Sequence, residues 1–282
     1  MPPKAHILII DDDANTLASL ARAFRLAGHE ATVCDNAARA LELAKGDRFD
    51  LVLSDVVMPG KDGIALLEES DFVVLNPGAP NSPGNRALIS AGTGLGEAGL
   101  YWDGQHYHPF ATEGGHSDFA PRTAQDVELF YYLQKQFGHV SWERVVSGMG
   151  IKNIFHFLTE SEQEQIPEWL SARFPDADPA AVISQAAMRH EDPVCTETMD
   201  LFVRYMATEA ASLVLKLMAT GGLYLAGGIP PKILPLLQSD NWSKNFDNNG
   251  RMHDLSDRVP IHVVLNDKMA LQGAAYYGAF NM

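Results

Sequence analysis

The sequence predicts an α/β protein built from two unlike parts that join near residue 70. Over residues 6–69, short apolar runs alternate with helical patterns, which is typical of a parallel sheet. Beyond that point, a turn-rich stretch at 76–85 precedes glycine-containing turns, further strands and long helices. A chain of 282 residues is long enough for two domains. We place them at 1–69 and 70–282.

The first part predicts three strands, each a short apolar run, at 6–10, 31–34 and 50–54. Between the first two, an apolar stripe at i, i+3, i+4 and i+7 predicts a helix, formed by Leu17, Leu20, Ala21 and Phe24. Gly28 follows as its stop signal. A second helix is expected from Asn36 onward and a third at about 62–69.

Three acidic side chains follow two of these strands. Asp11 and Asp12 come after the first strand, and Asp55 comes after the third. With strand order 2-1-3 the three carboxylates would converge at the carboxyl edge of the sheet. Mg²⁺ prefers such oxygen ligands, and a carboxylate can also accept a phosphoryl group. The alternative is that these are strand-end carboxylates with no function.

These residues resemble the receiver domain of bacterial response regulators, which has a flavodoxin-like fold. The resemblance is carried by three motifs, at 7–13, 50–55 and 58–63 (Met-Pro-Gly-Lys-Asp-Gly). It implies that Asp55 is the phosphoacceptor, that Asp11 and Asp12 hold the metal with Asp55, and that a sensor histidine kinase is the partner. The segment supplies about three of the family's five βα units, so we expect a partial receiver sheet.

The sequence of the second part also predicts strands and helices. The strands fall at 87–90, 98–102, 223–226 and 261–265. Thr123 and Asp126 resemble a capping box that opens a helix to about residue 137. Further helices are expected at 192–220, from Pro230 to Leu237, and from the last strand to about 278.

Two groups of residues in this part suggest a binding site. The turn Gly92-Thr93-Gly94 can bring successive N–H groups close to a phosphate, although most such turns are simply turns. Glu113 and His116 flank two glycines and, with Glu143, can supply the fixed acceptors and donors that a sugar needs. Zinc is the competing ligand, but Glu-x-x-His supplies only two ligands.

Residues 72–278 resemble the bacterial glucokinase family, through ordered motifs at 76–78, 87–98, 113–121, 138–148, 225–229, 260–267 and 271–275. The resemblance implies the large lobe of an actin/hexokinase-type (RNase H-like) fold. It also implies phosphorylation of glucose, or a related hexose, by ATP with Mg²⁺, and a homodimer. The implied contacts are Glu113, His116 and Glu143 to glucose, Gly92, Thr93 and Gly94 to the phosphates, and Gly227 and Gly228 to the adenosine.

The family's small lobe supplies an Asp-x-Gly-Gly-Thr loop and an Asn-Asp pair whose aspartate is the catalytic base. Neither motif occurs before Asn76, and the Asn266-Asp267 pair belongs to the late strand of the large lobe. No catalytic base is therefore assigned, and we expect impaired turnover. The alternatives are a hexose-binding remnant without catalysis and a phosphorelay protein controlled by Asp55.

The composition and net charge of the chain exclude several classes of partner. Hydrophobic residues make up 46% and charged residues 20%, which excludes a mainly disordered chain. The net charge of −15 argues against nucleic-acid and anionic-membrane partners. Cys34 and Cys195 build neither a disulfide framework nor a CxxC zinc site. Without a visible signal peptide or long apolar run, we expect a cytoplasmic protein.

Overall fold

The computed structural model describes residues 4–10, 14–35, 39, 40, 43, 49, 51–54, 71–79, 83–161, 166–266 and 269. The chain divides into two compact units. One contains residues 1–72, 100–111 and 266–282, and the other contains 73–99 and 112–265. Among the described residues, no helix combines the length and apolarity needed to cross a membrane.

A small parallel sheet forms from the N-terminal residues. Its strands are β1 (His6–Ile10), β2 (Glu30–Cys34) and β3 (Leu51–Ser54), in the order β2-β1-β3. The predicted order is therefore confirmed. Helix α1 (Ala14–Leu26) follows β1, and Gly28 after it has φ +92°, a value that favours glycine.

The central strand of this sheet is buried on both faces. Ile7 and Ile9 pack with Leu17 and Ala21 of α1, whereas Leu8, on the alternate face, packs in a separate cluster that includes Cys34. Alternate residues of a strand point to opposite faces, so the continuous apolar run of β1 supplies both clusters.

A larger, six-stranded sheet has the order β4-β9-β8-β5-β6-β7. Its strands are β4 (Phe72–Asn76), β5 (Arg86–Ala91), β6 (Leu95–Trp102), β7 (Tyr107–Thr112), β8 (Gly222–Ala226) and β9 (Ile261–Val264). Strand β8 pairs in parallel with both β5 and β9, placing Leu223 opposite Ala87 and Ile261. The carboxyl ends of β5 and β8 therefore lie at the same edge.

The helices of the larger part surround a single large apolar cluster. They are α2 (Ala124–Phe137), α3 (Gly148–Ser161), α4 (Glu168–Ser171), α5 (Pro179–Met188), α6 (Pro193–Leu217), α7 (Leu234–Leu237), α8 (Asp240–Phe246) and α9 (His253–Asp257). The long helix α6 contributes buried side chains along its whole length, including Phe202, Met206 and Val214, and packs against α3, α5 and α8.

Most predicted elements of this part appear, but some differ in form or bounds, and several helices, among them α3 and α5, were not predicted. The predicted helix from Pro230 to Leu237 is a 3₁₀ helix (Pro230–Ile233) followed by α7, since Pro231 and Pro235 cannot donate backbone hydrogen bonds. Strand β6 begins at Leu95, three residues before the predicted start. Strands β4 and β7 have no counterpart in the predictions.

The helices expected at about 62–69 and up to 278 lie outside the described residues, as does most of the one expected after Asn36.

Candidate functional site

The glycine turn between β5 and β6 is held against the first turn of a helix. Within the turn, the Gly92 N–H donates to the Gly94 carbonyl at 2.9 Å. The Gly148 N–H, at the start of α3, donates to the Gly92 carbonyl at 2.8 Å. The N-terminus of a 14-residue helix therefore lies beside the turn, and free N–H groups at such an end favour anions.

The segment after β8 meets the same turn. Gly227 has φ +89°, and a Cβ atom there would lie 2.3 Å from the Ala91 carbonyl oxygen, so only glycine fits. The Ile229 N–H donates to that oxygen at 3.1 Å. A Cβ atom on Gly92 would lie 3.9 Å from the Gly228 nitrogen. The structure thus brings together the predicted residues 92–94 and 227–228.

A cavity of about 550 Å³ opens beside these glycines. Its lining includes Gly92, Thr93 and Gly228. The rest of the wall combines apolar and polar residues: Gly148, Met149, Ile151, Lys152, Asp178, Ala180, Ala181, Ser184, Gln185, Met188, Ile229, Lys232 and Ile233. An apolar wall with a few polar groups is typical of a small-molecule site. Two lysines and close backbone N–H groups suit a ligand that joins a flat apolar group to phosphates.

The predicted sugar residues Glu113 and His116 flank a 3₁₀ turn that packs on β6. A Cβ atom on Gly115 would lie 2.1 Å from the Leu95 carbonyl oxygen, so the turn needs glycine at this point. The Glu113 and His116 side chains are 90% and 61% exposed, and His116 Nε2 lies 3.9 Å from Glu113 Oε2. Both polar groups are therefore accessible to a ligand.

Glu143 connects the sugar turn with the glycine turn. Its Oε2 accepts a hydrogen bond from the Leu95 N–H at 3.0 Å. A Cβ atom on Gly94 would lie 2.5 Å from the same oxygen. The Trp142 N–H, next to Glu143, donates to the Ser117 carbonyl at 3.0 Å. The first residues of β6 therefore follow the glycine turn directly and contact Glu143 and the turn that holds Glu113 and His116.

Two buried carboxyl groups in this region escaped prediction. Glu97 on β6 is 4% exposed, and Glu209 on α6 is fully buried. Burial, reinforced by the neighbouring charge of Glu209, raises the pKa of Glu97 to about 7. Burial also raises the pKa of Glu209, although Lys216, with Nζ at 3.0 Å from Glu209 Oε1, opposes this. Alternation along β6 puts Glu97 on the same face as Leu95, which was the one available signal.

The predicted phosphoacceptor Asp55 and metal ligands Asp11 and Asp12 lie outside the described residues. The strands that precede them end side by side, with Ile10 opposite Ser54. Within the described part of the chain, no group of three or more His, Cys, Asp or Glu side chains could hold a metal ion.

Comparison with known proteins decides the family. Residues 52–280 match the family model described as glucokinase. The chain belongs to the glucokinase family. A glucokinase from Synechocystis is 40% identical over 87% of this chain and 72% of its own length. A glucokinase from Nostoc punctiforme is 40% identical over 77% of this chain and 67% of its own length.

Solved structures agree with this assignment. The crystal structure of a glucokinase from an Antarctic psychrotroph has a TM-score of 0.68 and 29% identity, covering 84% of this chain and 71% of that one. Residues 7–70 match the response regulator receiver domain. The two family matches therefore overlap at 52–70, and the predicted join near residue 70 lies at the end of that overlap.

Proposed function

We propose that this chain binds ATP and glucose, or a related hexose, and transfers the γ-phosphoryl group to a hexose hydroxyl. One observation carries the proposal. Strand β6 begins at the glycine turn beside the cavity, and its next residues support Glu143 and the turn of Glu113 and His116. A phosphate donor and a hydroxyl acceptor bound at these two places would meet across a few residues of one strand.

The nucleotide half of the proposal assigns the cavity to ATP. Gly92, Thr93 and Gly94 would face the phosphates, since backbone N–H groups there and at the start of α3 favour anions. Gly227 and Gly228 would lie near the adenosine, whose flat base suits the apolar wall. Mg²⁺ would be held chiefly by the phosphates of ATP, as is usual for this cation in kinases.

The hexose half assigns the exposed face of the 113–116 turn to the sugar. A sugar exchanges hydrogen bonds with water for hydrogen bonds with the protein, so it needs charged acceptors fixed in place. Glu113 and His116 supply groups on one short turn, and Glu143 is fixed by its bond from the Leu95 N–H. These three residues are therefore proposed to orient the hydroxyl for attack.

Transfer also requires that the hydroxyl lose its proton, and no residue of this chain is assigned to take it. General base catalysis typically contributes ~10²–10⁴-fold. Positioning and charge stabilisation supply the larger part of phosphoryl transfer. We therefore propose turnover slower by roughly that factor of 10²–10⁴ than in a kinase with its base in place.

The test is ATP-dependent formation of glucose 6-phosphate by the purified chain. Glu113→Gln removes the charge of a sugar acceptor, and we expect at least a ~10-fold loss, because a hydrogen bond to a charged group contributes about 1.5–3 kcal/mol. Glu128→Gln makes the same change at an exposed position of α2 and should leave the rate unchanged. Equal rates in the two variants would contradict the assigned sugar site.

A binding measurement separates catalysis from binding without catalysis. Trp142 is buried directly beside Glu143, so its fluorescence should change when glucose is titrated. Saturable binding without product would leave the chain a hexose-binding remnant. If neither binding nor product is found at millimolar glucose and ATP, the proposal is wrong.

A second candidate function is a phosphorelay through Asp55, with a sensor histidine kinase as the donor. The match of residues 7–70 to the receiver domain and the β2-β1-β3 order favour it. Acetyl phosphate should then label the wild type but not Asp55→Asn. Label that survives this substitution would exclude Asp55 as the acceptor.

Two further proposals concern location and assembly. We place the chain in the cytoplasm, because the buried residues Cys34 and Cys195 form no disulfide with each other, as expected in a reducing compartment. The homodimer remains a prediction from the family, and sedimentation of the purified chain would test it.

A further inference from the structure

A pair of buried acids, Glu97 and Glu209, lies beside the proposed sugar turn, and each has an oxygen without a hydrogen-bond donor. Among the described residues, Glu97 Oε1 and Glu209 Oε2 are buried oxygens that lack a hydrogen-bond donor. The Glu209 side chain acts on the pKa of Glu97 both through its charge and through a side-chain hydrogen bond. Two carboxylates cannot bond to each other unless one of them is protonated, because an ionised carboxylate only accepts. A proton shared between the two carboxyl groups supplies a donor that this pair otherwise lacks.

The surrounding charges leave room for only one ionised carboxylate. Lys216 Nζ lies 3.0 Å from Glu209 Oε1 and balances the charge of that group. Arg122 adds a weaker favourable interaction, again with Glu209. Glu97 has no ion-pair partner among the described residues. Burial and the charge of Glu209 both favour the protonated form and outweigh the attraction of Lys216, so Glu97 is the member of the pair that carries the proton.

Glu97 contacts the sugar turn through both its side chain and its backbone. A Cβ atom on Gly114 would lie only 1.9 Å from Glu97 Oε2, so the turn rests directly on this carboxyl group. The Thr112 hydroxyl donates to the Glu97 carbonyl at 3.2 Å, and the Gly114 N–H donates to the Thr112 hydroxyl at 3.1 Å. A shift of Glu97 must therefore move Gly114.

We propose that Glu97 is a positioning residue for hexose binding, and that the proton it shares with Glu209 holds the turn of Glu113 and His116 in place. This inference rests on the proposed function. Loss of the proton puts two buried negative charges beside one lysine, and their repulsion displaces Glu97 and the turn above it. Hexose affinity then falls as the pH rises through the titration of the pair.

The sign of the pH dependence follows from the raised pKa of Glu97. The pKa of Glu97 in the folded chain, about 7, lies above the usual glutamate value of 4.5. The protonated pair, which holds the turn in place, is therefore favoured below pH 7 and lost above it. The sugar turn carries ionisable side chains besides this pair. The profile of the wild type must for this reason be compared with that of a variant that changes the pair alone.

Glu97→Gln is that variant, because its amide donates permanently to Glu209 and keeps nearly the same shape. We expect the glucose Kd of the wild type to rise about 10-fold between pH 6 and 8.5. In Glu97→Gln the rise should be absent or much smaller. Parallel profiles in the two proteins would overturn the inference.

A second readout does not depend on sugar binding. The turn contains hydrogen bonds from the His116 N–H to the Glu113 carbonyl at 3.0 Å and from the Ser117 N–H to the Gly114 carbonyl at 2.9 Å. Corrected for the intrinsic exchange rate, protection of these two amides should fall about 10-fold from pH 6 to 8.5 in the wild type and stay constant in Glu97→Gln. Equal behaviour in the two proteins would contradict the role of the shared proton even if glucose binds. Absence of glucose binding with the expected exchange pattern would contradict only the proposed function.

Discussion

The two sheets of this chain share parallel central strands but differ in how their apolar residues are gathered. In the small N-terminal sheet, the described apolar side chains form two limited clusters, one on each face of β1. In the six-stranded sheet, they join one large cluster built around α6. Since stability grows with the apolar area removed from water, recognisable motifs in both parts do not imply equal stability.

The sharpest test of this difference uses the two cysteines, since Cys34 lies in β2 and Cys195 lies in α6. Both thiols are buried, and burial raises the pKa of Cys195 to about 12, so neither should react without opening of its region. We expect Cys34 to be alkylated on the order of 1,000-fold faster in low denaturant, because regions with small cores open locally at lower free energy. Mass spectrometry of the labelled peptides measures this, with Cys34→Ser to confirm the assignment. Equal labelling rates would show one cooperative unit.

Matched truncations in the two sheets test the same difference in core size. Ile9 in β1 is 1% exposed, and Ile89 in β5 is fully buried. Each change to alanine should cost about 3 kcal/mol, because it removes buried methyl groups and leaves a cavity. We expect Ile9→Ala to expose Cys34 to alkylation in buffer, whereas Ile89→Ala should lower the denaturant midpoint seen by Cys195. The comparison fails if Ile9→Ala shifts the Cys195 midpoint as much as Ile89→Ala does.

Two neighbouring glycines offer a smaller test within the larger part. Gly227→Ala should cost about 2 kcal/mol, because a Cβ atom there meets the Ala91 carbonyl and φ is +89°. A Cβ atom on Gly228 has nothing within 4 Å, so Gly228→Ala should leave thermal unfolding nearly unchanged. Labelling of Cys34 should be the same in both variants. Equal melting temperatures for the two variants would contradict the close approach of β8 to β5.

Local rules predicted much of the fold. The apolar run of β1 and the stripe of Leu17 and Ala21 are short-range patterns, and both elements appear. Strand β7 escaped because its six residues include Pro109 and show no clear alternation. Residues of helices α3 and α5 line the cavity. Their place there was not anticipated, because it depends on packing between segments that are distant in the sequence.

The residues of the candidate site likewise divide into those that a local motif predicted and one that it did not. Glu113 and His116 were found because a short motif carries them. Glu143 was added as a further acceptor, and the resemblance to the family implied that all three contact glucose. Glu97 was missed because a charged residue in a strand usually faces water. Its burial depends on Glu209, 112 residues further along the chain, and no local pattern encodes such a partner.

The smallest test concerns the predicted capping box of α2, which the structure confirms. The Thr123 hydroxyl accepts from the Asp126 N–H at 3.2 Å, and Asp126 Oδ2 accepts from the Thr123 N–H at 2.9 Å. Thr123→Ala should cost about 1 kcal/mol, because one N–H at the start of the helix loses its partner. Thr123→Ser keeps the hydroxyl and should retain most of the stability. Denaturant unfolding followed at Cys195 should detect the loss, while Cys34 labelling stays constant. If Thr123→Ala instead accelerated Cys34 labelling, the two parts would share stability, and the contrast between their cores would not describe how the chain unfolds.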